Sequence, residues 1–224
     1  MSELRRWEYD GTGLEGEVPA APWTLVRGWV DAARAAAAQG LVHEPDAMAV
    51  ATVDASGLPD VRVVLMRFFD PRGLGFVSST RSRKAEQIEA TGVMAATLAW
   101  TVLHRAIRLR GRVELVDPSI TAAYWATRPW GSRISAWASH QSHPVTSRED
   151  LRSVTLQYAQ QWPDTGSPDD VPVPADWVGY RLRASEVELW AGRPDRLHDR
   201  VRYTCHEPND LDVEGCWERV RLQP

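Results

Sequence analysis

Arg196, His198 and Arg200 fall at every second position of Arg196-Leu197-His198-Asp199-Arg200, near the C-terminal end of the chain. Read as a strand, this spacing sends the three side chains to one face and Leu197 and Asp199 to the other. Like charges side by side on a strand are unfavourable unless an anion lies opposite them. The spacing therefore points to a pocket floor that grips a phosphorylated, ring-containing ligand. The competing reading is a solvated edge strand whose charges block aggregation. Three further places gather anion-binding groups. Arg62 and Arg67 bracket an apolar run. Ser78, Ser79, Thr80, Ser82, Arg83 and Lys84 form a hydroxyl-rich turn opening into a helix, where backbone N–H groups, hydroxyls and two cations suit a phosphate. An ordinary capped surface helix has the same signature. Tyr124, Arg128, Ser132, Gln141 and Ser142 share a central helical region.

Other chemistries are poorly served. His140 and His143 lie three apart with no HExxH or paired CxxC, so no metal is expected. There is no GxSxG elbow, and Gly11-Thr12-Gly13 precedes no strand-to-helix turn of a dinucleotide site. Cys205 and Cys216 flank a polar, turn-rich stretch, His206 to Asp210, which suits thiols facing each other across a hairpin; dithiol and disulfide both remain open. Lys84 is the only lysine. Most of the 11 tryptophans read as core or interface anchors, with Trp190 placed to pack beside a flat cofactor.

The elements that must carry these groups read as mainly β with a few helices. A helix over 22–39 starts at Pro22, repeats Trp23, Val26, Trp29, Val30 and Ala33 at helical spacing, and stops before Gly40. Strands over Ala47–Asp54, Val61–Phe69 and Leu74–Ser78 suggest an antiparallel meander, followed by Val93–Trp100 and Ala106–Val116. Asp117-Pro118 caps a helix running to Arg128, where Pro129 interrupts, and Ser147 with Asp150 resembles a capping box. Residues 163–176 read as a surface loop. Strands then resume at Val178–Leu182, Val187–Trp190, the pentapeptide and Trp217–Leu222. Short strands with close turns favour a closed antiparallel barrel over a βαβ fold. A net charge of -4 argues against general nucleic-acid binding. With no apolar run of membrane-spanning length and no signal-peptide core, a cytoplasmic, membrane-free protein is expected.

Taken together, several segments match a known pattern. The chain resembles the pyridoxamine/pyridoxine 5′-phosphate oxidase family through Arg5-Arg6-Trp7-Glu8-Tyr9 with Gly13-Leu14, Arg62 to Arg67, Ser82-Arg83-Lys84, Tyr124 through Arg128-Pro129 to Ser132, Ala136 to Ser142, and Trp190 with Arg196 to Arg200. The resemblance implies an α+β, FMN-binding split β-barrel over 22–224, preceded by an N-terminal flap over 1–21, with FMN at a homodimer interface. It assigns FMN to Arg62, Val63, Val64, Leu65, Val77, Ser78, Arg83, Lys84, Gln141, Ser142, Trp190 and Arg200. It assigns the phosphate of a small pyridine substrate to Arg67, Tyr124, Arg128 and Ser132, the substrate ring and catalysis to Arg196 and His198, and flap contacts to Arg5 and Tyr9. The implied reaction oxidises pyridoxine or pyridoxamine 5′-phosphate to pyridoxal 5′-phosphate, with dioxygen as acceptor and hydrogen peroxide as product. The alternatives are a phenazine-type paralogue and a non-catalytic FMN or pyridoxal phosphate binder; the presence of Tyr124, Arg128, Ser132, Arg196 and His198 together favours the vitamin substrate. The chain departs from the family pattern with Arg67 for a lysine, Ala106 for a flavin-contacting glutamine and Val77 for a tyrosine.

Overall fold

The computed structural model describes residues 8, 9, 11 and 13–224. Arg5 of the expected flap lies outside them. The first helix, α1 (Trp23–Ala38), buries Val26, Trp29, Val30 and Ala33, the stripe that a 3.6-residue repeat presents to a core. Pro22 stands at its N-cap rather than inside its first turn.

Among the described residues, nine strands form one antiparallel sheet system. β1 (Ala47–Val53) and β2 (Pro59–Leu65) make a hairpin, as do β3 (Phe68–Asp70) and β4 (Gly73–Ser79). The expected meander is not formed. The strand order is β2-β1-β5-β6-β7-β4-β3, so chain neighbours β2 and β3 stand at opposite ends of the path. Met66 and Arg67 make the crossing: Met66 N–H reaches Asp46 O at 2.8 Å and Arg67 N–H reaches Gly75 O at 2.7 Å. A continuous run of strand-forming residues hid this break, because pattern alone does not say which neighbour a strand will pair with.

The helix α2 (Arg83–Thr91) leads into β5 (Val93–Trp100) and β6 (Arg105–Leu115). The two strands expected near the C-terminus fuse into one, β7 (Trp177–Ala191), of 15 residues. One edge of β7 pairs with β6. The other pairs with β4 over 177–182 and with β8 (Asp199–Thr204) over 186–191. A single strand thus belongs to both halves of a split barrel, and β9 (Glu218–Leu222) completes the edge. The register shifts at Arg110/Gly111, and a Cβ on Gly111 would lie 2.1 Å from Arg183 O, so only glycine lets β6 and β7 approach there. Leu98, Ile107, Leu109, Leu182 and Leu189 are fully buried inside.

Three helices, α3 (Pro118–Ala126), α4 (Trp130–Ala138) and α5 (Arg148–Gln161), cover a second, smaller cluster of Trp125, Ile134, Val171 and Trp177. Asp117 and Ser147 cap α3 and α5 as expected, accepting the N–H groups of Ser119 and Asp150. The 163–176 loop is pinned by two indole donors, Trp125 to Val171 O at 2.9 Å and Trp137 to Pro172 O at 2.7 Å, and Trp130 donates to Trp162 O at 2.9 Å just ahead of it. Buried indoles need such partners, which accounts for several of the tryptophans. Among the described residues no helix is long and apolar enough to cross a membrane, and no group of three or more His, Cys, Asp or Glu side chains is placed to hold a metal ion.

Candidate active site

The end of β4 and the start of α2 build an anion cradle. Ser82, fully buried at the N-cap, does not cap its own helix; its Oγ lies 3.1 Å from Ser78 Oγ. Lys84 Nζ donates to Ser78 Oγ at 3.2 Å and to Gln141 Oε1 at 3.1 Å, and Ser78 Oγ donates to Gln141 Oε1 at 2.9 Å. Arg83 N–H donates to Ser142 Oγ at 3.2 Å. The ammonium of Lys84 is thus held by neutral acceptors. Burial first, then the charge of Arg62, push its pKa below the usual lysine value, against the pull of Asp60. A helix N-terminus, hydroxyls and an under-compensated cation in one place suit a phosphate. Arg62 braces the cradle from behind. Its guanidinium donates to Thr52 Oγ1 at 2.7 Å, Val50 O at 3.1 Å and Gln87 Oε1 at 3.0 Å, and pairs with Asp60 at 2.7 Å.

A second cationic cluster lies beside it. Arg128, just beyond α3, stacks its guanidinium on Trp125 (5.1 Å) and Trp177 (5.2 Å). Its Nη1 is buried and has no hydrogen-bond partner among the described residues. Burial, with repulsion from Arg67 and Arg133, lowers its pKa, while Tyr124 acts the other way. Arg67 reaches over the Tyr124 ring at 5.9 Å, and Ser132 lies half-buried in the first turn of α4. Arg128, Val77, Ser79, Gln141 and Trp177 line one cavity of about 410 Å³, so Arg128 of the second cluster and Gln141 of the first face the same space.

Trp190 and His198 form a third group, and the pentapeptide differs from its expected form. Arg196 ends a 3₁₀ turn (Pro194–Arg196), Asp195 and Arg196 have φ of 55° and 61°, and β8 starts only at Asp199. The proline that opens the turn sets this geometry, and the three cations do not share a strand face. Arg196 is exposed. Arg200 turns to the buried Glu188, with Nε 2.9 Å and Nη2 2.8 Å from Oε1. His198 packs 4.7 Å from Trp190, and Tyr9 stands edge-on to His104, Trp190 and His198. Arg193 N–H donates to His198 Nδ1 at 3.1 Å, which fixes the ring proton on Nε2. Burial and then Arg196 lower the His198 pKa, favouring the neutral ring. Ala106 sits opposite Trp190 in the β6–β7 register.

The first two clusters lie at the Trp177 end of β7 and the third at its Trp190 end, roughly 40 Å of extended chain apart. Within one chain Arg196 and His198 do not meet Arg128. Val63, on β2, is 68% exposed, with Val64 and Leu65 half-buried beside it. Several residues of these clusters escaped the sequence reading. Asp60 carried a signal, since it lies two positions from Arg62 on the same strand face. Glu188 did too, since it interrupts the apolar run Val187-Glu188-Leu189-Trp190. Gln87, Thr52 and the stacking role of Trp177 carried none, because each depends on tertiary contact.

The pyridoxamine 5′-phosphate oxidase family profile matches residues 35–163, and that of the pyridoxine 5′-phosphate oxidase C-terminal dimerisation region matches 177–224. A pyridoxine/pyridoxamine 5′-phosphate oxidase from Bordetella avium is 43% identical over 100% of this chain and 99% of its own. One from Kineococcus radiotolerans is 46% identical over 82% of each chain. Among solved structures, PhzG from Burkholderia lata, in complex with tetrahydrophenazine-1-carboxylic acid, superposes with a TM-score of 0.82 at 31% identity, covering 96% of this chain and 99% of that one. A pyridoxamine 5′-phosphate oxidase-related, FMN-binding protein from Nostoc punctiforme shares the fold, with a TM-score of 0.68 at 19% identity over 92% of this chain and 100% of that one.

Proposed function

Because the chain belongs to the pyridoxamine 5′-phosphate oxidase family, a family of oxidoreductases, we propose that it is an FMN-dependent oxidase converting pyridoxine or pyridoxamine 5′-phosphate to pyridoxal 5′-phosphate. Dioxygen is the acceptor and hydrogen peroxide the product. The observation that carries the reading is the pair of anion-seeking clusters, Lys84 with Gln141 and Arg128 with Trp177, whose Gln141 and Arg128 face one cavity. The donor set fits FMN: the cradle offers an ammonium, hydroxyls and a helix N-terminus to its phosphate. When bound, FMN supplies a two-electron acceptor that dioxygen reoxidises.

The chain's own residues bind and orient. Ser78, Arg83, Lys84, Gln141 and Ser142 hold the cofactor phosphate, with Arg62 as their brace. Arg128 presents a rigid fork to the substrate phosphate, and Arg67, Tyr124 and Ser132 add a second guanidinium, a phenol and a hydroxyl. Neutral His198 offers its Nε2–H to the pyridine substituents, with Arg196 beside it, and Trp190 lies next to the flat rings. The separation along β7 means that one substrate reaches both groups only between two copies, which supports a homodimer with its cofactor at the interface. The matched dimerisation region supports it as well. A cytoplasmic location accords with this metabolic role.

The test is turnover. Purified protein is expected to be yellow, to release FMN rather than FAD, and to form peroxide and an aldehyde chromophore from either phosphorylated vitamer under air. Protein that cannot be loaded with FMN would overturn the reading. The likeness to PhzG favours a second reading, oxidation of a reduced tricyclic carboxylic acid. FMN-loaded protein that is inert to both vitamers yet oxidises such a compound would establish it.

A further inference from the structure

Cys205 and Cys216 take no part in that chemistry, yet the fold brings them together. The β8–β9 ladder ends at Thr204–Glu218. Cys205 extends β8 by one residue, with its N–H on Ser185 O at 2.9 Å. Cys216 lies two residues before β9, after Gly215 has turned the chain at φ 84°. Both thiols flank that last rung of the ladder and pack against the main core. Asn209 Nδ2 donates to Cys216 Sγ at 3.0 Å and so fixes that sulfur. The segment they bracket ties distant parts of the fold to the sheet. Leu211 is fully buried, its N–H on Pro71 O at 2.7 Å and its carbonyl accepting Trp23 N–H at 2.9 Å. Asp210 pairs with Arg183 at 2.6 Å and accepts the Trp217 indole N–H at 3.2 Å. Cys205 also lines a cavity of about 600 Å³ with Ser185 and Thr204, which opens a path for a small reagent.

We propose that Cys205 and Cys216 form a reversible dithiol–disulfide couple that staples the 205–216 segment to the sheet, with a small-molecule disulfide as its oxidant. One protein thiolate attacks a sulfur of the reagent, and the reagent's S–S bond breaks to give a mixed disulfide and one reagent thiolate. The second protein sulfur then attacks the protein sulfur of that mixed disulfide and expels the second reagent thiolate. The pair gives up two electrons and two protons, and a linear disulfide leaves as two thiols. Because both sulfurs flank the same end of the β8–β9 ladder, ring closure joins residues the fold already brings together and outruns a second mixed disulfide. Burial raises the Cys205 pKa, so this sulfur rests as a thiol until exchange. The couple is independent of the oxidase reading.

The experiment equilibrates the whole protein with reduced and oxidised glutathione at varied ratios, quenches with acid, alkylates and measures intact mass. Two populations are expected, with two labels or none and with no glutathione adduct, and a peptide map joins 205 to 216. Hydrogen exchange at the Leu211 amide is expected to slow by about tenfold or more on oxidation, since the staple restricts local opening. Cys216→Ser, or Cys205→Ser if the first does not fold, is expected to trap one glutathione adduct on the remaining thiol. Adducts on both cysteines of the native chain, two labels at every ratio, or a disulfide between chains would each overturn the couple.

Discussion

Lys84→Ala removes the one ammonium of the cradle, and its effect on FMN can be worked out from the contacts. Nζ now meets only neutral acceptors, Ser78 Oγ at 3.2 Å and Gln141 Oε1 at 3.1 Å, in a partly buried place. A phosphate arriving there makes a charge-assisted hydrogen bond of about 1.5–3 kcal/mol. At about 1.4 kcal/mol per decade, its loss weakens FMN binding roughly ten- to a hundredfold. Riboflavin carries the same ring without the phosphate, so its affinity should be nearly unchanged. Flavin-fluorescence titration of the apoprotein at constant ionic strength measures both. The sign of the pH effect is fixed by the lowered pKa of Lys84. As pH rises, the free protein loses this proton below the usual lysine value, whereas a bound dianion draws the pKa back up. FMN binding therefore takes up a proton in that window. Native affinity falls there with rising pH, and the variant's does not. Unchanged FMN affinity in Lys84→Ala, or equal losses for FMN and riboflavin, would refute the cradle.

Arg128→Lys keeps a charge but gives up the planar fork between Trp125 and Trp177; KM for the phosphorylated vitamer is expected to rise about tenfold with FMN affinity unchanged, and a loss of FMN would place Arg128 in the wrong cluster. Chains carrying Arg128→Ala and chains carrying Arg196→Ala should each be inactive with FMN bound. Mixing them through a dissociation step should restore about a quarter of native turnover, because half of the dimers then hold one intact site, and no recovery would refute the shared site. Gly111→Ala forces a Cβ to 2.1 Å from Arg183 O and should lower the urea midpoint by an amount corresponding to about 2–3 kcal/mol; an unchanged midpoint would mean that the β6–β7 bulge relaxes freely.

Local chemistry was legible in the sequence, and long-range pairing was not. The limits of β5 and the caps of α3 and α5 follow from alternation and from side-chain oxygens ahead of helices, which act within a few residues. The hydroxyl-rich turn opening into α2 was legible for the same reason. The break at Met66-Arg67 was hidden because both flanking runs have the composition of one long strand, and only pairing with β1 on one side and β4 on the other divides them. The pentapeptide misled for a related reason. Its alternation is genuine, but Pro194 and the left-handed residues Asp195 and Arg196 turn the chain before any ladder can form. Arg200 then finds Glu188 across β7–β8, a partner fixed by register alone.

In the proposed oxidase, the length of β7 makes the site a property of two chains. A substrate that carries a phosphate at one end and a reacting ring at the other needs Arg128 and His198 within a few ångströms of a single small molecule, yet β7 holds them at opposite ends of a 15-residue strand. The sheet face beside that strand is built to be covered. Val61 and Val63 expose 65% and 68% of their surface, while Glu186 and Glu188, at 8% and 6%, sit under Arg110, Arg108 and Arg200. Apolar edges around satisfied charges suit a second protein surface better than water does. The same ladder holds Arg200 and the root of the His198 turn in place from behind. In the proposed dimer that face also supports the ring-binding end, so assembly and catalysis would share one set of contacts.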